Sequence, residues 1–132
     1  MGDGNGTIFA QSRKQRLVSK SSFEAELISL SDGSSQVLWS REFLAAQGYV
    51  TPPAKVYQDN KSTIISAEKG RSTSDRTRHV NIRYYWVKDR IDNKEMLLEY
   101  LPTADMTADI LTKPLQGEQF RKLRSKLLNW NI

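Results

Sequence analysis

Apolar positions along the chain recur mostly at a spacing of three to four, interrupted by short β-favouring runs and by clusters of turn residues. Thr7-Ile8-Phe9-Ala10, behind a Gly/Asn turn, reads as a strand entered from a hairpin. Ser21 with Glu24 three residues on forms a capping-box pattern, and Phe23, Leu27, Leu30, Val37, Leu38 and Leu44 continue a helical stripe until Gly48. Its centre, Ser31-Asp32-Gly33-Ser34-Ser35, is a poor helix former, so a kink or fraying is expected there. After the Thr51-Pro52-Pro53 loop, Lys55–Gln58 reads as a short strand ending at Asp59, and a two-turn helix from Ser62 to Lys69 stops at Gly70.

Residues 70–79 form a polar, basic loop. Val80, Tyr84, Val87 and Ile91 then mark an amphipathic helix, Glu95–Leu101 the strongest strand, and Pro102-Thr103 the start of a helix through Met106, Ile110 and Leu111 that Pro114 ends. Gly117–Trp130 is a last basic amphipathic helix. The order strand, helix, strand, helix, helix, strand, helix predicts an α/β fold with at least one parallel pair. No repeat or long linker divides the 132 residues, so a single domain is expected.

Composition narrows the chemistry. The chain has no Cys and one His, His79, which excludes a disulfide framework, a thiol nucleophile and a Cys-ligated or multi-histidine metal site within it. No apolar run approaches the ~20 residues of a membrane-spanning helix, and no secretory leader pattern opens the sequence, so an intracellular setting and no membrane partner are expected. Twenty Lys and Arg against fifteen Asp and Glu give a net charge of +5. The excess is local. Arg13, Lys14, Arg16 and Lys20 lie in a stretch without acids, and seven basic residues between Lys69 and Arg90 outnumber Asp75 and Asp89, with Tyr84, Tyr85 and Trp86 among them. Such runs fit a solvated face or contact with nucleic acid.

Catalysis in this chain must therefore rest on carboxylates and a hard cation. Glu26 flanks the apolar stripe of its helix, Asp59 sits where a strand runs out, and Asp109 lies one helical turn after Asp105. The plain alternatives are a solvated Glu26, an N-cap at Asp59 or Asn60, surface charge at Asp109 and a loop role for His79.

Several motifs in order add a resemblance. Ser12-Arg13-Lys14-Gln15, Val18-Ser19-Lys20-Ser21-Ser22-Phe23-Glu24-Ala25-Glu26, Leu38-Trp39 and Tyr57-Gln58-Asp59-Asn60-Lys61-Ser62 are followed by Arg76-Thr77-Arg78-His79-Val80-Asn81-Ile82-Arg83-Tyr84, Leu98-Glu99-Tyr100-Leu101-Pro102-Thr103 and Ala108-Asp109-Ile110-Leu111-Thr112-Lys113-Pro114-Leu115. Together they resemble the ribonuclease H domain of copia-type retrotransposon polyproteins. The resemblance runs from about Gly4 to Leu128 and implies an α/β, ribonuclease H-like mixed sheet flanked by helices. It implies hydrolysis of the RNA strand of RNA–DNA hybrids by two Mg²⁺ ions, for which Mn²⁺ substitutes, held about 4 Å apart by four carboxylates. Glu26, Asp59 and Asp109 match three of these. Arg13, Lys14, Arg16, Lys20, Asn60, Arg76, Arg78, His79 and Arg83 become candidate nucleic-acid contacts.

The family's leading aspartate has no counterpart here. Residues 1–6 align with the hairpin turn before the third strand, the first two strands are absent, and residues 117–132 form a tail helix. The expectation is an N-terminally truncated domain that is inactive or weak alone. Its implied partners are an RNA–DNA hybrid and the rest of a Pol polyprotein, including reverse transcriptase and the upstream strands, in cytoplasmic particles and then the nucleus. A non-catalytic remnant binding nucleic acid through its basic face is the alternative.

Overall fold

A computed structural model describes residues 6–12, 14, 22–70 and 78–130, with side chains described from Glu24 and from Asn81 in the two helices that begin at 22 and 78. The expected contacts Arg13, Arg16, Lys20 and Arg76 lie outside these residues, as do Ser21 of the capping box and the side chains of Arg78 and His79. The chain forms two compact units, one over 17–100 and one combining 1–16 with 101–132.

In the first unit, α1 (Ser22–Ala46) leads to β1 (Ala54–Gln58), α2 (Lys61–Lys69), α3 (Arg78–Asp92) and β2 (Met96–Tyr100). The two strands pair in parallel, Ala54 with Met96 through Gln58 with Tyr100. Apolar residues one helical turn apart close the core: Leu27 and Leu30 of α1, Ala67 of α2, Tyr84 and Val87 of α3 and Met96 of β2, with Val56, Trp86, Ile91 and Leu98 packed around them. Arg41 fastens the far end of α1, its guanidinium donating to the Glu95 carbonyl at 2.7 Å and to the Thr51 carbonyl and hydroxyl at 3.3 Å.

The serine-rich centre of α1 neither kinks nor frays: the helix is continuous over 25 residues. Side chains that compete with a helix elsewhere are turned back onto it, Ser31 donating to the Ile28 carbonyl and Ser34 to that of Leu30, while Arg83 of α3 donates to the Ser31 hydroxyl at 2.5 Å and to Asp32 at 2.9 Å. Tertiary contact overrides propensity here.

In the second unit, 3-10 helices at Thr103–Asp105 and Thr107–Leu111 precede α4 (Gly117–Leu128). The single α-helix expected after Pro102 is absent. Asp105 and Met106 amides bond back three residues to Pro102 and Thr103, and Met106 is extended (φ −73°, ψ 99°), which breaks the segment into two tight turns. Residues 7–10 are not a strand. The Thr7 amide bonds to the Leu127 carbonyl at 3.1 Å, and Ile8 and Phe9 are exposed, since no neighbouring strand among the described residues offers them a ladder. Lys122 donates to Asp105 at 2.6 Å, with Lys126 at 3.8 Å, so that carboxyl is held below its ordinary range by the Lys122 hydrogen bond and charge. No helix among the described residues is long and apolar enough to cross a membrane.

Candidate functional site

The carboxyl ends of two parallel strands are where α/β sheets place their chemistry, and Asp59 leaves β1 there, half-buried. Its surroundings are fixed from both sides. Gln58 is buried, and its side-chain carbonyl accepts from the Asn60 amide at 3.2 Å. The Asn60 side chain caps α2, accepting from the Ser62 and Thr63 amides at 3.0 and 3.2 Å. The N-cap alternative thus falls to Asn60, whose carboxamide oxygen is committed to the helix, and Asp59 is left as the carboxylate at the strand end. Lys61 of the same turn lies 4.6 Å from the centre of the Tyr100 ring, on the residue that pairs with Gln58.

Glu26 lies on α1, half-buried, beside Leu27. Its neighbour Glu24 is the more deeply buried carboxylate, on the same helical face as Leu27, Ile28 and Ser31. Glu24 raises the Tyr84 phenol through its charge. Burial is the larger cause, the Ser66 hydrogen bond acts in the opposite sense, and Tyr84 is pushed up to about 12. The helical spacing of Glu24 with Leu27 and Ile28 carried that signal in the sequence, where the capping pattern hid it.

Asp109 lies in the second unit, on the second 3-10 helix, with its side chain 14% exposed. Lys113 donates to its carboxylate at 2.9 Å, and the Thr112 and Lys113 amides bond to its carbonyl at 3.1 and 2.8 Å. Asp105 and Asp109, expected to share a helical face, take different partners because the extended Met106 separates their turns.

The basic residues divide as well. Lys14 is exposed. Arg83 is drawn onto α1 by Ser31 and Asp32. Of the Lys69–Arg90 cluster, Lys88 pairs with Asp92, and Arg90 with Asp89 and Glu95. Much of that positive charge is therefore answered within α3 and its exit.

Over 115 residues, 87% of the chain, it is 30% identical to the retrovirus-related Pol polyprotein from transposon TNT 1-94 of Nicotiana tabacum. The homologues are retrotransposon Pol polyproteins. Identity is 32% over 125 residues, or 94% of the chain, with the Pol polyprotein from transposon RE1 of Arabidopsis thaliana, and 26% over 127 residues, or 95%, with the truncated transposon Ty1-A Gag-Pol polyprotein of Saccharomyces cerevisiae. The chain spans only 9%, 8% and 10% of these three Pol homologues. No protein-family model matches it, and no solved structure matches it.

The donor set bears on the metal that the resemblance implies. Two hard cations need several carboxylates converging on one point. Among the described residues, no group of three or more His, Cys, Asp or Glu is placed to hold a metal ion, and the Asp109 carboxylate carries the Lys113 ammonium. The carboxylates described here do not make up the ligand set of a two-metal centre.

Proposed function

We propose that this chain is part of a ribonuclease H-like domain of a retrotransposon Pol polyprotein, the domain that hydrolyses the RNA strand of RNA–DNA hybrids during reverse transcription. The observation that carries this reading is Asp59 at the carboxyl end of a parallel strand, set by Gln58 and the Asn60 cap, in a chain whose homologues are Pol polyproteins. Asp59 and Glu26 are the proposed carboxylates of the first unit and Asp109 that of the second. Mg²⁺ is the proposed ion, with Mn²⁺ as its substitute, and the remainder of Pol is the proposed partner. Because the described carboxylates do not gather into a ligand set, the chain alone is expected to cut hybrids weakly or not at all.

The test is cleavage of an end-labelled RNA–DNA hybrid in Mg²⁺ or Mn²⁺, by the chain alone and by the chain joined behind the Pol segment that precedes the matched region in the tobacco homologue. Cutting by the joined protein that Asp59→Asn abolishes is the expected result. A folded joined protein that leaves the hybrid intact refutes the reading. Retention of the hybrid without cutting, with affinity falling steeply in salt and no base preference, would mark a non-catalytic nucleic-acid-binding segment instead.

A further inference from the structure

The Asp109–Lys113 pair is built rather than incidental. The lysine backbone is fixed at three points: its amide donates to the Asp109 carbonyl at 2.8 Å, its carbonyl accepts from the Leu115 amide at 2.9 Å, and Pro114 restricts its backbone to extended conformations. The ammonium is thereby delivered to the Asp109 carboxylate at 2.9 Å, four residues back. The aspartate side chain is 14% exposed and the lysine side chain 48%, so the cation sits on the solvent side of the carboxylate. A cation arriving from solvent meets the lysine first.

We infer that Lys113 is a resident counter-ion of Asp109 that competes with divalent metal for its carboxylate. This rests on the reading of Asp109 as a metal-facing residue and adds to it a positioning residue that acts through charge. The ammonium neutralises a largely buried carboxylate, and a divalent ion binds there only by displacing it. The lysine tethers remain when it swings away, so the exchange is reversible and local.

The experiment is Mn²⁺ titration of the full chain followed by NMR, reading paramagnetic broadening of the amides around residue 109 and, separately, around residue 59. Lys113→Met removes the charge and keeps the apolar stem, Lys113→Arg restores a cation, and Asp109→Asn in the Lys113→Met background removes the carboxylate. Lys113→Met is expected to strengthen Mn²⁺ binding near residue 109 about fivefold, the scale of a partly exposed ion pair, with Lys113→Arg close to the parent chain and the double variant losing the gain. Equal broadening around residue 109 in parent and Lys113→Met overturns the counter-ion role while leaving the metal reading standing. Broadening at neither 109 nor 59 in any variant overturns both.

Discussion

Replacing Tyr84 with phenylalanine should change the sign of the chain's response to alkali at one buried group. The Tyr84 side chain is fully buried among α1, α2 and β2 residues, with Ser66 as a hydrogen-bond partner and the Glu24 charge nearby, and its phenol is pushed up to about 12. In the unfolded chain a tyrosine loses its proton near pH 10. A folded-state value above the unfolded one is a stability that is complete below pH 10 and is lost as pH rises towards 12. By pH 11 the unfolded chain is mostly ionised at this position and the folded chain is not, which costs the native state about 1 kcal/mol. At pH 8 the phenylalanine variant lacks the hydrogen bond with Ser66 and is expected to be less stable than the parent by about 1 kcal/mol. Urea unfolding followed by far-ultraviolet circular dichroism at pH 8 and pH 11 should therefore show the gap closing as pH rises. A gap of the same size at both values would refute the argument, because every other titrating group is common to the two proteins.

Two further substitutions test local backbone chemistry. Asn60→Ala removes the acceptor for the Ser62 and Thr63 amides and should cost about 1 kcal/mol, or about 4 °C in Tm, whereas Asn60→Asp should keep the cap; equal melting of all three would show that the carboxamide does not hold α2. Gly33 and Gly70 should respond to alanine with opposite signs. Nothing lies within 4 Å of a Cβ at Gly33, so Gly33→Ala gains up to about 1 kcal/mol of helix propensity, while Gly70 has φ +73° and a Cβ there would stand 2.5 Å from Lys88 Cδ, so Gly70→Ala lowers Tm.

The order of the major elements was legible from periodicity, because Leu27, Leu30, Tyr84 and Val87 must share a core and because Gly70 and Pro114 punctuate the chain at points the structure uses. The strand end at Asp59 was legible for the same reason: a β-favouring run followed by a capping residue leaves few places for that carboxylate. Three features escaped because they depend on partners far away in sequence. The serine-rich centre of α1 holds its helix through Arg83, 52 residues from Ser31. Residues 7–10 have β propensity and, among the described residues, no strand beside them. Arg83 itself, counted from the sequence among nucleic-acid contacts, spends its guanidinium on Asp32, which a local charge count does not register. Lys113 was visible as a residue four after Asp109, but its hold on that carboxylate depends on the turn geometry that replaced the expected α-helix.

The parallel pairing of β1 with β2 also constrains how the first unit comes together in time. Each residue of β1 meets a partner 42 positions later, from Ala54 with Met96 to Gln58 with Tyr100, and α2 and α3 occupy the intervening chain. Bringing such distant ends together from a disordered chain costs about 3 kcal/mol in closure entropy before the first inter-strand bond forms. Five residues of ladder on a two-stranded sheet do not offset that by themselves. The strands must therefore zip after α3 has collapsed onto α1 and α2 and shortened the path. The Asp59 backbone position, which exists only once β1 is paired, is thus among the last features of the unit to be acquired and among the first to be lost when it opens.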